Sequence, residues 1–293
     1  MDIEFDRRFE VPAGKAQRLS PLIRRVLCDN PSPFTFKGTS TFVVGTGKVA
    51  IIDPGPDDTA HLAALLAAVA GETVTHILVT HSHADHSPLA ARLKAATGAA
   101  TMAYGAIASP DDQGPRLDAG IDHDFVPDRR LAHGEQVEGD GWTLEAVFTP
   151  GHMSNHMCFA LREEQALFAG DHVMAWATSV VAPPDGNMAD YMASLRLLLD
   201  RDDMLYLPAH GPARPDPKPL VRGYISHRRM REAAILNRIK EGDRTIGAIV
   251  NAVYAGLDPR LHGAAALSAT AHLDHLIAQG KLRETDGHYE AIP

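Results

Sequence analysis

The strongest constraint on the fold of this 293-residue chain is the run Thr80-His81-Ser82-His83-Ala84-Asp85-His86. It follows a β-branched, apolar stretch, Val74 to Thr80, that reads as a buried strand. Four side chains of metal-ligand type therefore sit within six residues of a strand end. In extended backbone His81 and His83 point to the same side, so both can serve one ion. The chain then turns, and Asp85 and His86 can reach a second ion close by. A fold that uses these residues must bring further ligands to the same place.

The candidates lie downstream in three short segments: Thr149-Pro150-Gly151-His152, Ala169-Gly170-Asp171-His172 and Pro208-Ala209-His210-Gly211. Each puts a His or Asp just after an apolar strand, where the position is rigid and a glycine lets the backbone turn tightly. Two ions need about six or seven ligands with a carboxylate between them, and Asp171 is the natural bridge.

The rest of the pattern is layered α/β. Ser40 to Val44 and Val49 to Asp53 read as strands joined by a Gly-rich turn, and Asp58-Thr59 caps a helix over about 60–70. A helix at Pro88 to Thr97 and a strand at Ala100 to Tyr104 follow. Strands are expected at Leu144 to Phe148, Met157 to Leu161, Ala166 to Ala169 and Leu205 to Leu207, with a helix at Asp190 to Leu199. The segment Gly211 to Pro219 holds four prolines and marks the best boundary, giving expected units 1–212 and 213–293. Beyond it come a long charged helix, Leu220 to about Lys240, two more helices, and a hairpin turning on Asp286-Gly287. This is a winged-helix-like pattern.

Together, HSHADH, TPGH, AGDH and PAHG resemble the motif series of the metallo-β-lactamase-fold hydrolases over about residues 20–212. The resemblance implies an αββα four-layer sandwich followed by a small winged-helix-like domain. It implies that His81, His83 and His152 hold a first metal, that Asp85, His86 and His210 hold a second, and that Asp171 bridges them. Asp53 matches the family's early Asp and is expected to orient the ligands from behind. Gly151 to His156, His210-Gly211-Pro212 and Tyr224 to Glu232 look like the lactamase-beta-2-like subgroup, with Met153 a departure from its usual Thr.

Composition narrows the function. The net charge of −9 gives no default affinity for phosphate backbones. The two cysteines, Cys28 and Cys158, make no disulfide framework and fit a reducing cytoplasm. The first ten residues do not read as a signal peptide, and no apolar run nears the ~20 residues of a membrane span. The expected activity is hydrolysis of a small ester, thioester or lactone by a hydroxide bridging two divalent ions, with Asp85 as proton acceptor. Zn²⁺ is the first choice, although a set of His and Asp donors also suits Fe or Mn. The alternative, cleavage of single-stranded RNA, needs a basic track, and Arg228, Arg229 and Arg231 are its only visible start. Arg228 is accordingly a candidate anion clamp at the cleft rim. β-Lactam hydrolysis ranks lower, and a metal-bound scaffold protein lowest, since no ligand is missing.

His156 is a candidate for substrate contact or for support behind the ligands, whereas His172 reads as structural. His272 and His275 stand three apart on a helix without an evident third ligand. The candidate recognition helix of the tail lacks Lys and Arg, which argues against DNA readout. The tail is expected to wall the active site or to mediate a homodimer. Residues 106–124 and Trp176 to Met188 are expected to shape the substrate pocket.

Overall fold

The computed structural model describes residues 3–107, 120–256 and 262–292. The central part of the expected 106–124 loop, 108–119, lies outside them. Two sheets form the middle of the molecule. The first has strand order β1 (Ala16–Arg18), β2 (Ile23–Leu27), β3 (Ser40–Val44), β4 (Lys48–Ile52), β5 (Thr73–Leu78), β6 (Ala100–Ala103) and β7 (Arg129–Arg130). In the second, β8 (Gln136–Glu138), β9 (Thr143–Phe148), β10 (Met157–Leu161), β11 (Ala166–Gly170), β12 (Leu205–Pro208) and β13 (Arg214–Pro215) lie in sequence order.

The uninterrupted apolar strands are explained by burial on both faces. In β10, Met157, Phe159 and Leu161 face the core between the sheets, and Cys158 and Ala160 face outward onto helices. In β4 the same alternation sends Ala50 and Ile52 inward and Val49 and Ile51 outward. The outward face of the first sheet is covered by α1 (Thr59–Ala68) and α2 (Leu89–Thr97), through Leu65, Leu89 and Leu93. That of the second is covered by α3 (Met188–Asp200) and α4 (Lys218–Lys240), through Tyr191, Leu195, Val221 and Tyr224. The result is helix, sheet, sheet, helix, as the motif resemblance implies.

Helix α4 serves two cores. Its first half packs on the second sheet, and Ile235 and Ile239 join a separate cluster with α5 (Ile246–Val253) and α6 (His262–Ala278). The hairpin β14 (Leu282–Thr285) to β15 (His288–Ala291) completes that cluster. Asp286 and Gly287 both have positive φ, 50° and 76°, the two-residue turn whose twist suits a hairpin.

Candidate metal centre

Every expected ligand, and Asp53 behind them, lies just beyond the C-terminal end of a strand, at one edge of the sandwich. Asp53 follows β4, His81 to His86 follow β5, His152 follows β9, Asp171 follows β11 and His210 follows β12. The backbone there is shaped for close approach. Gly170, before Asp171, has φ 49°, and a Cβ on it would lie 2.5 Å from His156 Nε2 and 2.9 Å from Thr80 Oγ1. At Gly151 a Cβ would collide with the Tyr191 backbone at 2.3 Å. Only glycine fits either place.

The structure brings the seven side chains together in two adjoining groups. His81, His83, His152 and Asp171 each offer a donor atom within 4.8 Å of the others, and so do Asp85, His86 and His210. His81 Nε2 and His152 Nε2 lie 2.9 Å and 3.1 Å from His83 Nδ1. The Asp171 carboxylate reaches both groups: Oδ2 is 3.8 Å from His152 Nε2, and Oδ1 is 3.2 Å from His210 Nε2. Asp85 Oδ2 stands 3.2 Å from His210 Nε2 and 3.4 Å from His86 Nε2. All seven are at most 7% exposed.

The far side of each ring decides which nitrogen carries its lone pair inward. His152 Nδ1 donates to the Val180 carbonyl at 2.6 Å, and His210 Nδ1 to Gly38 at 3.2 Å. His86 Nδ1 donates to Asp53 Oδ2 at 3.1 Å. Thr80 gives its hydroxyl proton to Asp53 Oδ2 at 2.8 Å and so accepts from His81 Nδ1 at 2.9 Å. In each of these four residues Nε2 is left as the donor toward the centre. Asp53 also accepts from the Thr80 amide at 2.7 Å, and it does so from a left-handed backbone, φ 51°. Such strain is characteristic of functional sites.

Electrostatics point the same way. Burial disfavours charge on His86 and His210, but Asp85 and Asp171 outweigh it, joined at His86 by Asp53. His86 is held well above the ordinary imidazole range, and His210 rises to about 10. Burial would raise the Asp85 and Asp171 carboxyls, yet the facing imidazoles hold both far below the usual range. His81, buried among other imidazoles, is pushed well down. Two carboxylates and five imidazoles in a dry site call for positive charge. His86 Nε2 and Asp171 Oδ1 are buried without a hydrogen-bond partner. The donor set fits two divalent cations, and with no thiolate in it Zn, Fe and Mn are all chemically suited.

The groups open onto a cleft of about 170 Å³. Its floor is His83, Asp85, His152, Asp171 and His210, and its walls include Phe34, Met174, Trp176 and Val180. The Trp176 end of the expected pocket segment is thus in place. Phe34, from the loop between β2 and β3, was not foreseen from the sequence; an aromatic in the Pro-rich stretch Pro31-Ser32-Pro33-Phe34 was the available signal. Phe36 from the same loop stacks on Trp176 with centroids 4.8 Å apart and planes inclined by 14°. The described end of the 106–124 segment pairs with the motif loop: Ala84 N donates to Gly120 O, and Asp122 N to Ser82 O.

The remaining candidates resolve one by one. His156 does not line the cleft; its Nε2 accepts the Asp171 amide at 3.2 Å and its Nδ1 bonds Thr149 Oγ1 at 2.9 Å. His172 is fully buried against Tyr191, and burial lowers its pKa to about 3. The anion clamp at the rim is not built. Arg228 is 4% exposed and turned inward, because α4 presses its Tyr224 and Arg228 face against the segment that carries Trp176. His272 and His275 both face Glu232, His275 at 2.6 Å and His272 at 3.5 Å. Both cysteines are buried free thiols, pushed up to about 12 by burial. Among the described residues no helix is long and apolar enough to cross a membrane.

Comparison with known proteins gives concordant results. Residues 34–210 match the model of the metallo-beta-lactamase superfamily, and residues 245–290 that of the beta-lactamase associated winged helix domain. The chain is 32% identical to a beta-lactamase-like protein 2 homolog of Caenorhabditis elegans, over 82% of this chain and 78% of the relative. It is 31% identical to an atrochrysone carboxyl ACP thioesterase of Aspergillus terreus, over 89% and 80%. A solved beta-lactamase domain protein from Burkholderia ambifaria superposes with a TM-score of 0.80 at 23% identity, covering 97% of this chain and 95% of that one.

Proposed function

The chain belongs to the metallo-beta-lactamase superfamily of hydrolases, and we propose that it is a dinuclear enzyme that cleaves a small acyl thioester. The observation that carries this reading is the cleft. Five of the seven converging donors form its floor, its walls are largely apolar, and no Lys or Arg lines it among the described residues. An apolar acyl group suits such walls, and a polyanion does not. Relatives named as thioesterases support the choice of a thioester over other acyl compounds.

The geometry supports the following roles. His81, His83, His152 and Asp171 would hold one cation, and Asp85, His86 and His210 the other, with Asp171 spanning both. Such a pair supplies Lewis acidity and makes water nucleophilic at neutral pH. Asp53, Val180 O and Gly38 O keep Nδ1 of His86, His152 and His210 protonated. Asp85, lining the cleft, is the carboxylate we assign to accept the proton of the attacking water. Met174, Trp176 and Val180 exclude bulk water and seat the acyl chain. We take Zn²⁺ as the native metal, to be checked by elemental analysis of protein from unsupplemented cells. The buried free thiols lead us to place the protein in the cytoplasm.

The RNA reading requires cations near the scissile phosphate, and Arg228, its anchor, is buried away from the cleft. The test sets a panel of acyl thioesters beside a labelled single-stranded RNA, using wild type, His83→Ala and Asp85→Ala with metal counting. Thioester turnover that falls with metal content is expected. Full metal and full turnover in both variants, or RNA cleaved in preference, would overturn the reading.

A further inference from the structure

The segment His172 to Val181 does two jobs at the metal centre. The carbonyl of Val180 takes the Nδ1 proton of His152, and Met174, Trp176, Ala177 and Val180 wall the cleft. Little regular structure supports it. Between β11 and α3 the chain forms no helix or strand, so its shape depends on side chains that grip its backbone.

The grip comes chiefly from α4, the helix shared with the winged-helix module. The Tyr224 hydroxyl shares its proton between the carbonyls of Met174, at 2.6 Å, and Ala177, and accepts from the Met174 amide at 3.3 Å. One turn on, Arg228 Nη2 donates to the Ser179 carbonyl, the peptide next to the one that fixes His152. From α3, Tyr191 donates to His172 O at 2.8 Å, and its ring lies under the Arg228 guanidinium, 5.2 Å from centroid to Cζ. The Ser179 hydroxyl closes the same carbonyl at 2.9 Å.

Arg228 is unusual in this setting. It is 4% exposed, its Nε has no hydrogen-bond partner, and no carboxylate forms an ion pair with it among the described residues. Burying a guanidinium in this way is costly, and an apolar side chain would fill the same space without that cost. Packing alone therefore does not account for arginine here. A long donor that reaches the Ser179 carbonyl does.

We propose that Tyr224 and Arg228 are positioning residues of the metal centre: from α4 they hold 172–181 so that the Val180 carbonyl meets His152 Nδ1 and the cleft wall keeps its shape. This makes α4 part of the active site. The proposal rests on the two-cation reading above, and its test separates the two.

The experiment compares wild type, Tyr224→Phe, Arg228→Met and, as a control, Arg231→Met. Arg231 stands on the same helix but faces the module, where it bonds Val253 O at 2.9 Å and covers Tyr254. Zinc affinity is read by chelator competition, and amide exchange is followed over 173–181. Tyr224→Phe and Arg228→Met are expected to weaken zinc binding about tenfold or more, the usual effect of losing support behind a ligand, and to speed exchange in that segment. Arg231→Met is expected to lower the melting temperature and leave zinc affinity as it was. Folded Tyr224→Phe and Arg228→Met proteins that bind zinc as wild type does would overturn the proposal. So would an Arg231→Met protein that loses affinity equally. If Arg228→Met does not fold, Tyr224→Phe, which removes one oxygen, decides alone. A wild type that takes up none of Zn, Fe or Mn would end the two-cation reading first and this inference with it.

Discussion

Replacing Asp53 with Asn changes one atom behind the metal centre and should disable a ligand in front of it. The Asp53 carboxylate accepts three hydrogen bonds, from Thr80 N at 2.7 Å, Thr80 Oγ1 at 2.8 Å and His86 Nδ1 at 3.1 Å. Asn keeps one acceptor oxygen, which can stay with the Thr80 amide. Its NH₂ group then replaces Oδ2, the atom that receives both Thr80 Oγ1 and His86 Nδ1. Donor would face donor unless His86 moved its proton to Nε2, and an Nε2–H cannot ligate. Asn also tolerates the left-handed backbone at φ 51°, so the substitution adds no strain of the kind Ala would bring. Hydrogen bonds to a charged group contribute about 1.5–3 kcal/mol each. Lost support behind a metal ligand costs ~10–100-fold in affinity, or about 1.4–2.7 kcal/mol. Asp53→Asn should therefore bind the cation of the Asp85, His86 and His210 group at least tenfold more weakly, with kcat/KM falling in step. Chelator competition and metal counting at fixed pH provide the assay. Wild-type affinity at both sites would refute the tautomer argument.

Three further outcomes follow from the structure. Trp176→Ala removes a cleft wall and its stack on Phe36; KM for a bulky acyl thioester should rise about tenfold while kcat changes little, and steady-state kinetics would show it. Trp142 is 1% exposed between the sheets and donates Nε1–H to Lys48 O at 3.0 Å. Trp142→Ala should lose about 3–5 kcal/mol of stability in urea unfolding, with metal content unchanged. Burial lowers the pKa of His61 to about 4, from 6.5 in a free chain. Below pH 6.5 the unfolded state binds a proton that the folded state refuses, so stability falls as pH drops from 6.5 to 4, by about 3 kcal/mol at most. In His61→Gln, which cannot titrate, that slope should flatten in denaturation curves taken across the window.

The candidate site was legible because its ligands stand at strand ends. An apolar run followed by Gly and then His or Asp keeps its meaning without tertiary information, as at Ala169-Gly170-Asp171. Less was readable where a long-range contact overrides the local pattern. The strand expected to run to Thr80 ends at Leu78, and the Thr80 amide is taken by Asp53 instead of a neighbouring strand. Strand β2 contains Arg24 and Arg25, which hide its pattern. In the fold Arg24 pairs with Glu72, and Arg25 is buried beside the Phe9 ring and Gln17. Helix α3 starts at Met188, two residues early, since Asn187 caps it by accepting from Asp190 N. Arg228 gave the most misleading signal. A basic cluster on a helix reads as surface, and only the docking of α4 shows which of the three arginines turns inward.

Each donor group draws on both sheets. His81, His83, Asp85 and His86 arrive on the first, and His152, Asp171 and His210 on the second. A nascent chain that has completed only its N-terminal sheet therefore holds two of four donors at one position and two of three at the other, an incomplete chelate at both. On the proposed two-cation reading, capture of the cations would then be a late event in biogenesis, one that waits on the joining of the two halves. A loaded protein would in this sense be a record of its own correct assembly.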